Sequence, residues 1–226
     1  AKHARLVAGH SLGEYTALCA AGAFTLADAA RLLKTRGRAM QDAVPVGEGA
    51  MSALLGAEID LAEAAAKEAV EAAPPTETNP VCVVANDNAP GQVVISGTKA
   101  AVERAGEIAK AKGAKRAMLL NVSAPFHSPL MQPAADRMRE ALSAVTIRPP
   151  AAPVLANVTA TETSEPETIR RLLVEQVTGR VRWRESVLRL KSLGVETTVE
   201  LGGAKVLTGM VKRIDRELAN ITLDAP

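Results

Sequence analysis

The sequence predicts an α/β protein, on three observations. Short apolar segments typical of strands interchange along the chain with segments whose apolar residues recur at helical spacing. Stretches rich in Gly and Pro separate these segments. The 226 residues are 47% apolar but only 2% aromatic, so a core of Ala, Val, Leu and Ile can be buried.

Composition excludes several classes of function. The 27 basic and 25 acidic residues are scattered and leave a net charge of +2, so no basic block is present for nucleic acid. No apolar run has the length that crosses a bilayer, and the first residues lack the apolar core of a signal peptide. Cys19 and Cys82 lie in apolar segments without CxxC spacing, which indicates free thiols rather than a disulfide or a metal site. The sequence therefore predicts a cytoplasmic protein that binds neither nucleic acid nor membrane.

The chain opens with a predicted strand followed by two predicted helices. The strand contains residues 6–8, and the first helix spans 12–21 with Gly22 just past its end. Thr25 is the expected N-cap of the second helix. The apolar face of that second helix consists of Ala29, Leu32, Leu33, Met40 and Val44.

Residues 48–121 are predicted to form a small domain inserted into a larger one. The predicted elements are the strand 50–55, the helix 60–73, the strands 81–85 and 92–96, the helix 99–112 and the strand 116–120. Their order is the split pattern of a ferredoxin-like domain. Residues 86–91, rich in Asn, Asp, Pro and Gly, are expected to form the hairpin turn.

The larger domain is predicted to be hydrolase-like, with a parallel sheet, and to consist of residues 1–47 and 122–226. Its second part begins with a helix over 129–144, which Pro149 and Pro150 follow. The remaining predicted elements are the strand 154–158, the helices 165–178 and 183–193, the strand 197–201 and a last helix that Gly202 and Gly203 open and that runs to residue 213.

The pentapeptide Gly9-His10-Ser11-Leu12-Gly13 lies between the first strand and the first helix and has the pattern of a nucleophile elbow. Glycines on both sides of Ser11 are expected where a side chain would collide with neighbouring backbone. The turn would expose the Ser11 hydroxyl and direct the Leu12 N–H toward an oxyanion. A serine in this context favours acyl transfer through an ester, although the string alone also occurs in ordinary turns.

A serine nucleophile needs a base, and the chain has three histidines. His3 is at the terminus, and His10 is expected to point away from Ser11, which leaves His127 as the best candidate; a surface or capping role is the alternative. Arg36 lies one long helix after the elbow, where a guanidinium would hold a carboxylate of the acyl group by two parallel hydrogen bonds. From sequence alone, a solvated helix face is the commoner explanation for Arg36.

Four segments together resemble bacterial malonyl-CoA:acyl carrier protein transacylases over essentially the whole chain. They are GHSLGEYTALCAAGAFTLADAARLLKTRGRAMQDAVPVGEGAM, NAPGQVVISG, SAPFHSPLM and GGAKVLTGMVKRI. The resemblance implies that Ser11 is the nucleophile, His127 the general base and Arg36 the clamp for the malonyl carboxylate. It further implies that the Gln176 backbone carbonyl orients the histidine and that Asn157 is a polar residue of the site. Phe126, just before the base, is expected to narrow the space at the malonyl α-carbon, unless it is a core residue.

The resemblance implies a ping-pong reaction in fatty-acid biosynthesis. Malonyl-CoA would acylate Ser11, and the phosphopantetheine thiol of an acyl carrier protein would then accept the malonyl group. The resemblance thus implies two partners, malonyl-CoA and an acyl carrier protein. It implies a coenzyme A thioester as the substrate and no cofactor, and the complete protein is expected to be a monomer. The alternatives are a serine hydrolase or thioesterase, an acyltransferase fragment of a polyketide synthase, and a binding module without catalysis.

Both ends of the chain depart from the family pattern. Family members begin with a strand carrying a Gly-Gln-Gly motif, whose glutamine gives a second oxyanion amide, whereas here nothing precedes Ala1. The chain ends at Pro226, which is expected to fall short of a final helix. The resemblance therefore implies that the first part of the large domain is absent. Without one oxyanion donor, the isolated chain is expected to lose roughly a hundred- to a thousandfold in rate.

Overall fold

Helices and strands interchange along the chain, as predicted. The computed structural model describes residues 4–224, so His3 lies outside the described part. The strands are β1 (Val7–Ala8), β2 (Gly49–Leu55), β3 (Cys82–Ala89), β4 (Gln92–Thr98), β5 (Arg116–Leu119), β6 (Val154–Leu155), β7 (Glu162–Thr163), β8 (Thr197–Leu201) and β9 (Ala219–Leu223). The helices are α1 (Leu12–Ala20), α2 (Leu26–Asp42), α3 (Ile59–Glu71), α4 (Lys99–Ala111), α5 (Gln132–Ser143), α6 (Pro166–Thr178), α7 (Trp183–Ser192) and α8 (Val206–Ile214), with a 3-10 turn at Pro129–Met131 before α5.

Strands β2 to β5 form one antiparallel sheet in the order β3-β4-β2-β5. Helices α3 and α4 pack on this sheet through faces of alanine, which let the helices approach closely. The alanines of these two faces are Ala62, Ala65, Ala66, Ala69, Ala101, Ala105 and Ala109. The element order is the predicted one, strand, helix, strand, strand, helix, strand. The domain boundaries at 48 and 121 stay a prediction.

The other strands form two smaller sheets with parallel pairs. β1 pairs with β6 in parallel, β6 pairs with β7 antiparallel, and β8 pairs with β9 in parallel. The largest core lies beside the first of these sheets and unites buried side chains of α1, α2, α5 and α6, among them Leu18, Leu32, Met138 and Leu173. The α/β class is thereby confirmed. None of the helices within residues 4–224 combines the length and apolar character that crossing a membrane requires.

The N-terminal helices follow the sequence closely. The Asp28 N–H donates to the Thr25 hydroxyl at 3.0 Å, so the predicted N-cap of α2 is confirmed. Gly22, just past α1, has a φ of 82°, a conformation that glycine adopts without steric cost.

The hairpin turn between β3 and β4 is shorter than the sequence predicted. β3 continues to Ala89, and only Pro90 and Gly91 separate it from β4. Asn86, Asp87 and Asn88, which the sequence placed in the turn, are buried strand residues next to bulges in the ladder. Their polar groups form hydrogen bonds with residues that are distant in sequence, and turn propensity does not account for such contacts. The Asp87 N–H, for example, donates to the Val181 carbonyl at 3.0 Å.

Other boundaries also differ. The predicted strand 154–158 is only two residues long, and β7 and β9 were not predicted. The last helix begins at Val206 rather than at the glycine pair, because Lys205 before it has a left-handed φ of 55°.

Candidate active site

Ser11 lies between β1 and α1 with φ 51° and ψ −106°, a conformation that is uncommon outside glycine. The requirement for glycine is confirmed at Gly9, where an added Cβ would lie 2.0 Å from the Gly13 carbonyl oxygen. At Gly13 the expectation is wrong, since a Cβ there would meet nothing within 4 Å. One glycine therefore allows the close approach, and the backbone of the helix occupies the space beside it.

Asn157, which follows β6, stabilises the elbow by hydrogen bonds to its backbone. Its Oδ1 accepts from the Ser11 N–H at 2.7 Å, and its Nδ2 donates to the Gly9 carbonyl at 2.8 Å. The side chain is buried just after β6, whose parallel pairing with β1 brings the two strand ends together. Asn157 thus holds the backbone on both sides of His10, so the strained turn has fixed partners.

His127 faces Ser11 across the site. The Ser11 Oγ lies 2.7 Å from Nε2, and Nδ1 lies 2.9 Å from the Gln176 carbonyl and 3.1 Å from the Gly179 carbonyl. Because both neighbours of Nδ1 are acceptors, Nδ1 carries the proton and Nε2 accepts from the Ser11 hydroxyl. Burial, and secondly the charge of Arg36, lower the pKa of His127 to about 3, so the ring is neutral near pH 7.

Arg36 is also in this site and is 6% exposed, which contradicts the alternative of a solvated helix face. Its Nη2 donates to the Ser11 Oγ at 2.9 Å and to the Gln176 Oε1 at 3.1 Å. The guanidinium lies over the Tyr15 ring, 5.8 Å from the centroid. Its Nε is buried and has no hydrogen-bond partner in the described part of the chain. Burial lowers the pKa of Arg36, although a guanidinium still stays charged.

Two functional side chains were missed from the sequence, and so was the Gly179 carbonyl at His127. The Gln176 side chain donates from Nε2 to the Ser11 carbonyl at 3.0 Å and to the Glu14 Oε2 at 2.7 Å. Glu14 is 2% exposed, and burial raises its pKa to about 7 against the opposing hydrogen bonds from Gln176 and Asn157. The available signal for Glu14 was its place as the one charged residue in the otherwise largely apolar segment of α1.

Leu12 and Phe126 occupy different surroundings. Leu12 is the first residue of α1, where a backbone N–H has no partner within its own helix, and its side chain is 52% exposed. Phe126 is half-buried and packs against the largest core and against a small cluster of Met51, Ala85 and Val94. Packing therefore explains Phe126, and its effect on acyl-chain selectivity stays a prediction.

His10 is directed to other partners than Ser11. Its Nε2 lies 2.8 Å from the Asn88 Oδ1, and its ring centroid lies 5.7 Å from that of Trp183. The residue therefore joins the elbow to β3 and α7. Among residues 4–224, no group of three or more His, Cys, Asp or Glu side chains is placed to hold a metal ion.

An open cavity of about 370 Å³ reaches His127 from the surface. It lies between β3 and the segment that joins α6 to α7. Its other lining residues are Val83, Val84, Pro129, Thr178, Arg180 and Arg182.

A serine on a strand-to-helix elbow, paired with a neutral histidine that carbonyl groups orient, is the arrangement of enzymes that form acyl-serine esters. A family profile described as acyl transferase domain matches residues 3–222. The chain therefore belongs to the acyl transferase family and is an acyltransferase.

Relatives within this family have a narrower description. A malonyl CoA-acyl carrier protein transacylase of Bacillus subtilis is 47% identical over 97% of this chain and 67% of its own length. The crystal structure of an acyl-carrier-protein S-malonyltransferase from Bartonella henselae is 52% identical, with a TM-score of 0.93 over 99% of this chain and 69% of that one. A second solved structure shows a type II polyketide acyl-carrier protein in complex with its malonyl-transacylase, which is 42% identical with a TM-score of 0.92 over 98% of this chain and 70% of that one.

Proposed function

We propose that this protein transfers the malonyl group of malonyl-CoA to the phosphopantetheine thiol of an acyl carrier protein, for fatty-acid biosynthesis. The single observation that carries the choice of acyl group is the buried Nε of Arg36, which has no partner among the described residues although the same guanidinium reaches the Ser11 Oγ at 2.9 Å. A buried donor without a partner calls for an explanation, and a carboxylate on the acyl chain supplies one. The names of the relatives support the same substrate.

In the first half-reaction, the substrate carboxylate binds Arg36 and the thioester carbonyl carbon lies next to the Ser11 Oγ. His127 Nε2 removes the hydroxyl proton while the Oγ–carbon bond forms, and the carbonyl electrons move onto oxygen. The Leu12 N–H stabilises this oxyanion. The carbon–sulfur bond then breaks, and the proton on His127 passes to the leaving thiolate of coenzyme A.

In the second half-reaction, the carrier thiol gives its proton to His127 and attacks the malonyl-Ser11 ester. Collapse of the second tetrahedral intermediate returns the proton to the Ser11 Oγ and leaves a malonyl thioester on the carrier. The two half-reactions need no cofactor, because the coenzyme A thioester is a substrate that is consumed. A cytoplasmic location, where this thioester is made and used, completes the proposal.

The charge of Arg36 also favours the carboxylated substrate through His127. Arg36 is the second cause, after burial, that lowers the pKa of His127. A carboxylate bound to Arg36 offsets the positive charge, so the histidine becomes a stronger base once a malonyl chain is in place. An uncharged acyl chain leaves the charge uncompensated and the base weak.

The test uses the full-length protein and two arginine variants of α2. After incubation with malonyl-CoA and no carrier protein, the mass of the protein should increase by one malonyl group. The mass of the Ser11→Ala variant should not change. Arg36→Ala should lower kcat/KM for malonyl-CoA roughly a hundredfold or more, because about two charge-assisted hydrogen bonds are lost, and should lower it far less for acetyl-CoA. Arg38→Ala, at an exposed position of the same helix, is the control and should change neither value.

Equal losses for both substrates in Arg36→Ala would contradict the carboxylate clamp. Release of free malonate at the same rate with and without carrier protein would instead identify a serine hydrolase.

A further inference from the structure

Glu14 is a buried carboxyl group three residues after the nucleophile that the reaction above does not use. It lies in the first turn of α1 and is 2% exposed. Its Oε2 accepts from the backbone N–H of Asn157 at 3.2 Å and from the Gln176 Nε2 at 2.7 Å. Because Oε2 accepts from a backbone N–H, which is always a donor, this oxygen is an acceptor in either protonation state of the carboxyl group.

The side-chain amide of Gln176 connects this carboxyl group to Arg36. Its Nε2 donates to Glu14, and its Oε1 accepts from the Arg36 Nη2 at 3.1 Å. Turned over, the amide would place its NH2 against the guanidinium and its oxygen against Oε2, so that donor would face donor and acceptor would face acceptor. Glu14 and the Ser11 carbonyl, which also accepts from Nε2 at 3.0 Å, therefore determine together which end of the amide meets Arg36.

The orientation of Arg36 depends on this contact. Nη2 has two hydrogen-bond partners among the described residues, Ser11 and Gln176, and the Tyr15 ring covers the guanidinium at 5.8 Å. With the Gln176 oxygen in place, Nη2 is fixed and the free Nε lies in a defined position. Without that oxygen, a long flexible side chain loses one of two directional contacts.

We propose that Glu14 is a positioning residue for Arg36, which acts through the Gln176 amide and strengthens the preference for an acyl chain that ends in a carboxylate. The inference rests on the proposed function and adds to it a residue that touches neither the substrate nor the reacting atoms. Glu14 contributes by hydrogen bonding, and its negative charge is not required for the effect.

The test compares three variants in the full-length protein by the ratio of kcat/KM for malonyl-CoA to kcat/KM for acetyl-CoA. Glu14→Gln keeps an acceptor oxygen for Gln176 and Asn157, so the ratio should stay within about threefold of the wild-type value. Glu14→Met has a similar length but no comparable acceptor, so the ratio should fall about tenfold. Leu142→Ala makes a cavity in the core away from this network and should leave the ratio unchanged even though the protein is less stable.

Several outcomes would overturn the proposal. An unchanged ratio in Glu14→Met would show that Glu14 supports the fold alone, and a ratio lost in Glu14→Gln would show that charge rather than orientation matters. If Glu14→Met does not fold, the ratio is measured in Glu14→Asp, whose carboxylate lies one methylene farther from Gln176. An unchanged ratio in Glu14→Asp would also overturn the proposal. A wild-type protein that forms no malonyl-Ser11 ester would refute the proposed function itself, which keeps the two failures distinct.

Discussion

Burial moves the pKa values of His127 and Glu14 in opposite directions at the same site. For His127 the pKa falls from 6.5 to about 3, and for Glu14 it rises from 4.5 to about 7. In both cases the interior disfavours the charged form, so each residue is neutral over a range where it is charged in the unfolded chain. Because the folded and unfolded states then bind different numbers of protons, each residue makes the free energy of unfolding depend on pH.

The signs of the two pH dependences differ. Between pH 4.5 and 7 the unfolded chain has lost the Glu14 proton that the folded protein retains, so the stabilisation from Glu14 is present at low pH and is lost as pH rises. Between pH 3 and 6.5 the unfolded chain binds a proton on His127 that the folded protein does not, so stability is lost as pH falls. Where the ranges overlap, the two effects cancel.

Removing one group at a time should expose the effect of the other. Relative to wild type, Glu14→Gln should gain about 3 kcal/mol in free energy of unfolding as pH rises from 4.5 to 7, at about 1.4 kcal/mol per unit of pKa shift. His127→Asn should change in the opposite sense relative to wild type between pH 3 and 6.5. Chemical denaturation across this pH range measures both differences.

A Glu14→Gln curve that stays parallel to the wild-type curve would show that Glu14 has an ordinary pKa in the folded protein. Arg38→Ala serves as the control, since an exposed residue of α2 should leave the pH profile unchanged.

The parts of the site that the sequence indicated are those whose chemistry is specific to a residue type. Ser11 lies in a recognisable turn, and a serine nucleophile restricts the base to a few histidines. Glu14 and the Gln176 side chain were not found, because their roles depend on a contact between α1 and α6 over 162 residues of sequence. Gly179, the second carbonyl at His127, depends on where α6 ends, and helix ends are poorly defined by sequence.

At the scale of the elements, the elbow depends on the two glycines unequally. Gly9 faces the helix backbone, and Gly13 faces open space. Gly9→Ala should therefore destabilise the protein by about 3 kcal/mol or more, since the Gly13 backbone must shift to accept a methyl group. Gly13→Ala lies within α1 and should increase the free energy of unfolding by about 0.5–1 kcal/mol, because alanine loses less conformational freedom in a helix. Denaturant unfolding of both variants checks this.

The two glycine variants are controls for each other, since both add one methyl group within the same turn. Similar losses of stability at both positions would contradict the asymmetry of the elbow. A Gly9→Ala protein as stable as wild type would show that β1 and α1 can separate without cost.

Elements with strong periodicity were predicted well, and elements defined by tertiary partners were not. α2 and α4 have amphipathic patterns and appear within a few residues of the predicted bounds. β3 extends over Asn86, Asp87 and Asn88 because Val181 pairs beside it and His10 bonds to it, although these residue types favour turns. β9 was missed because its five residues, Ala219–Leu223, follow no clear turn signal.

At the scale of the whole molecule, the segment between α6 and α7 joins the four-stranded sheet to the rest of the chain. Val181 exchanges backbone hydrogen bonds with β3, donating to Ala85 and accepting from Asp87. Ion pairs flank this bridge, Arg180 with Glu63 and Arg184 with Glu58. His10 adds its bond to Asn88 beside the nucleophile. The same segment also contributes the Gly179 carbonyl at His127, so the catalytic base and the junction share one piece of backbone.

This shared backbone predicts that the sheet and the rest of the molecule unfold together, even though residues 48–121 have the element order of a separate domain. Trp183 is the only tryptophan in the chain and lies at the junction beside His10, so its fluorescence reports the junction specifically. In this 226-residue chain, the fluorescence transition should coincide with the loss of far-ultraviolet ellipticity, which reports all helices including α3 and α4. Asn88→Ala should shift both transitions together to lower denaturant, by about 1 kcal/mol for one hydrogen bond, whereas Gln132→Ala on the exposed side of α5 should shift neither. A step in ellipticity without a change in Trp183 fluorescence would show that the sheet unfolds independently and that the junction does not couple it to the site.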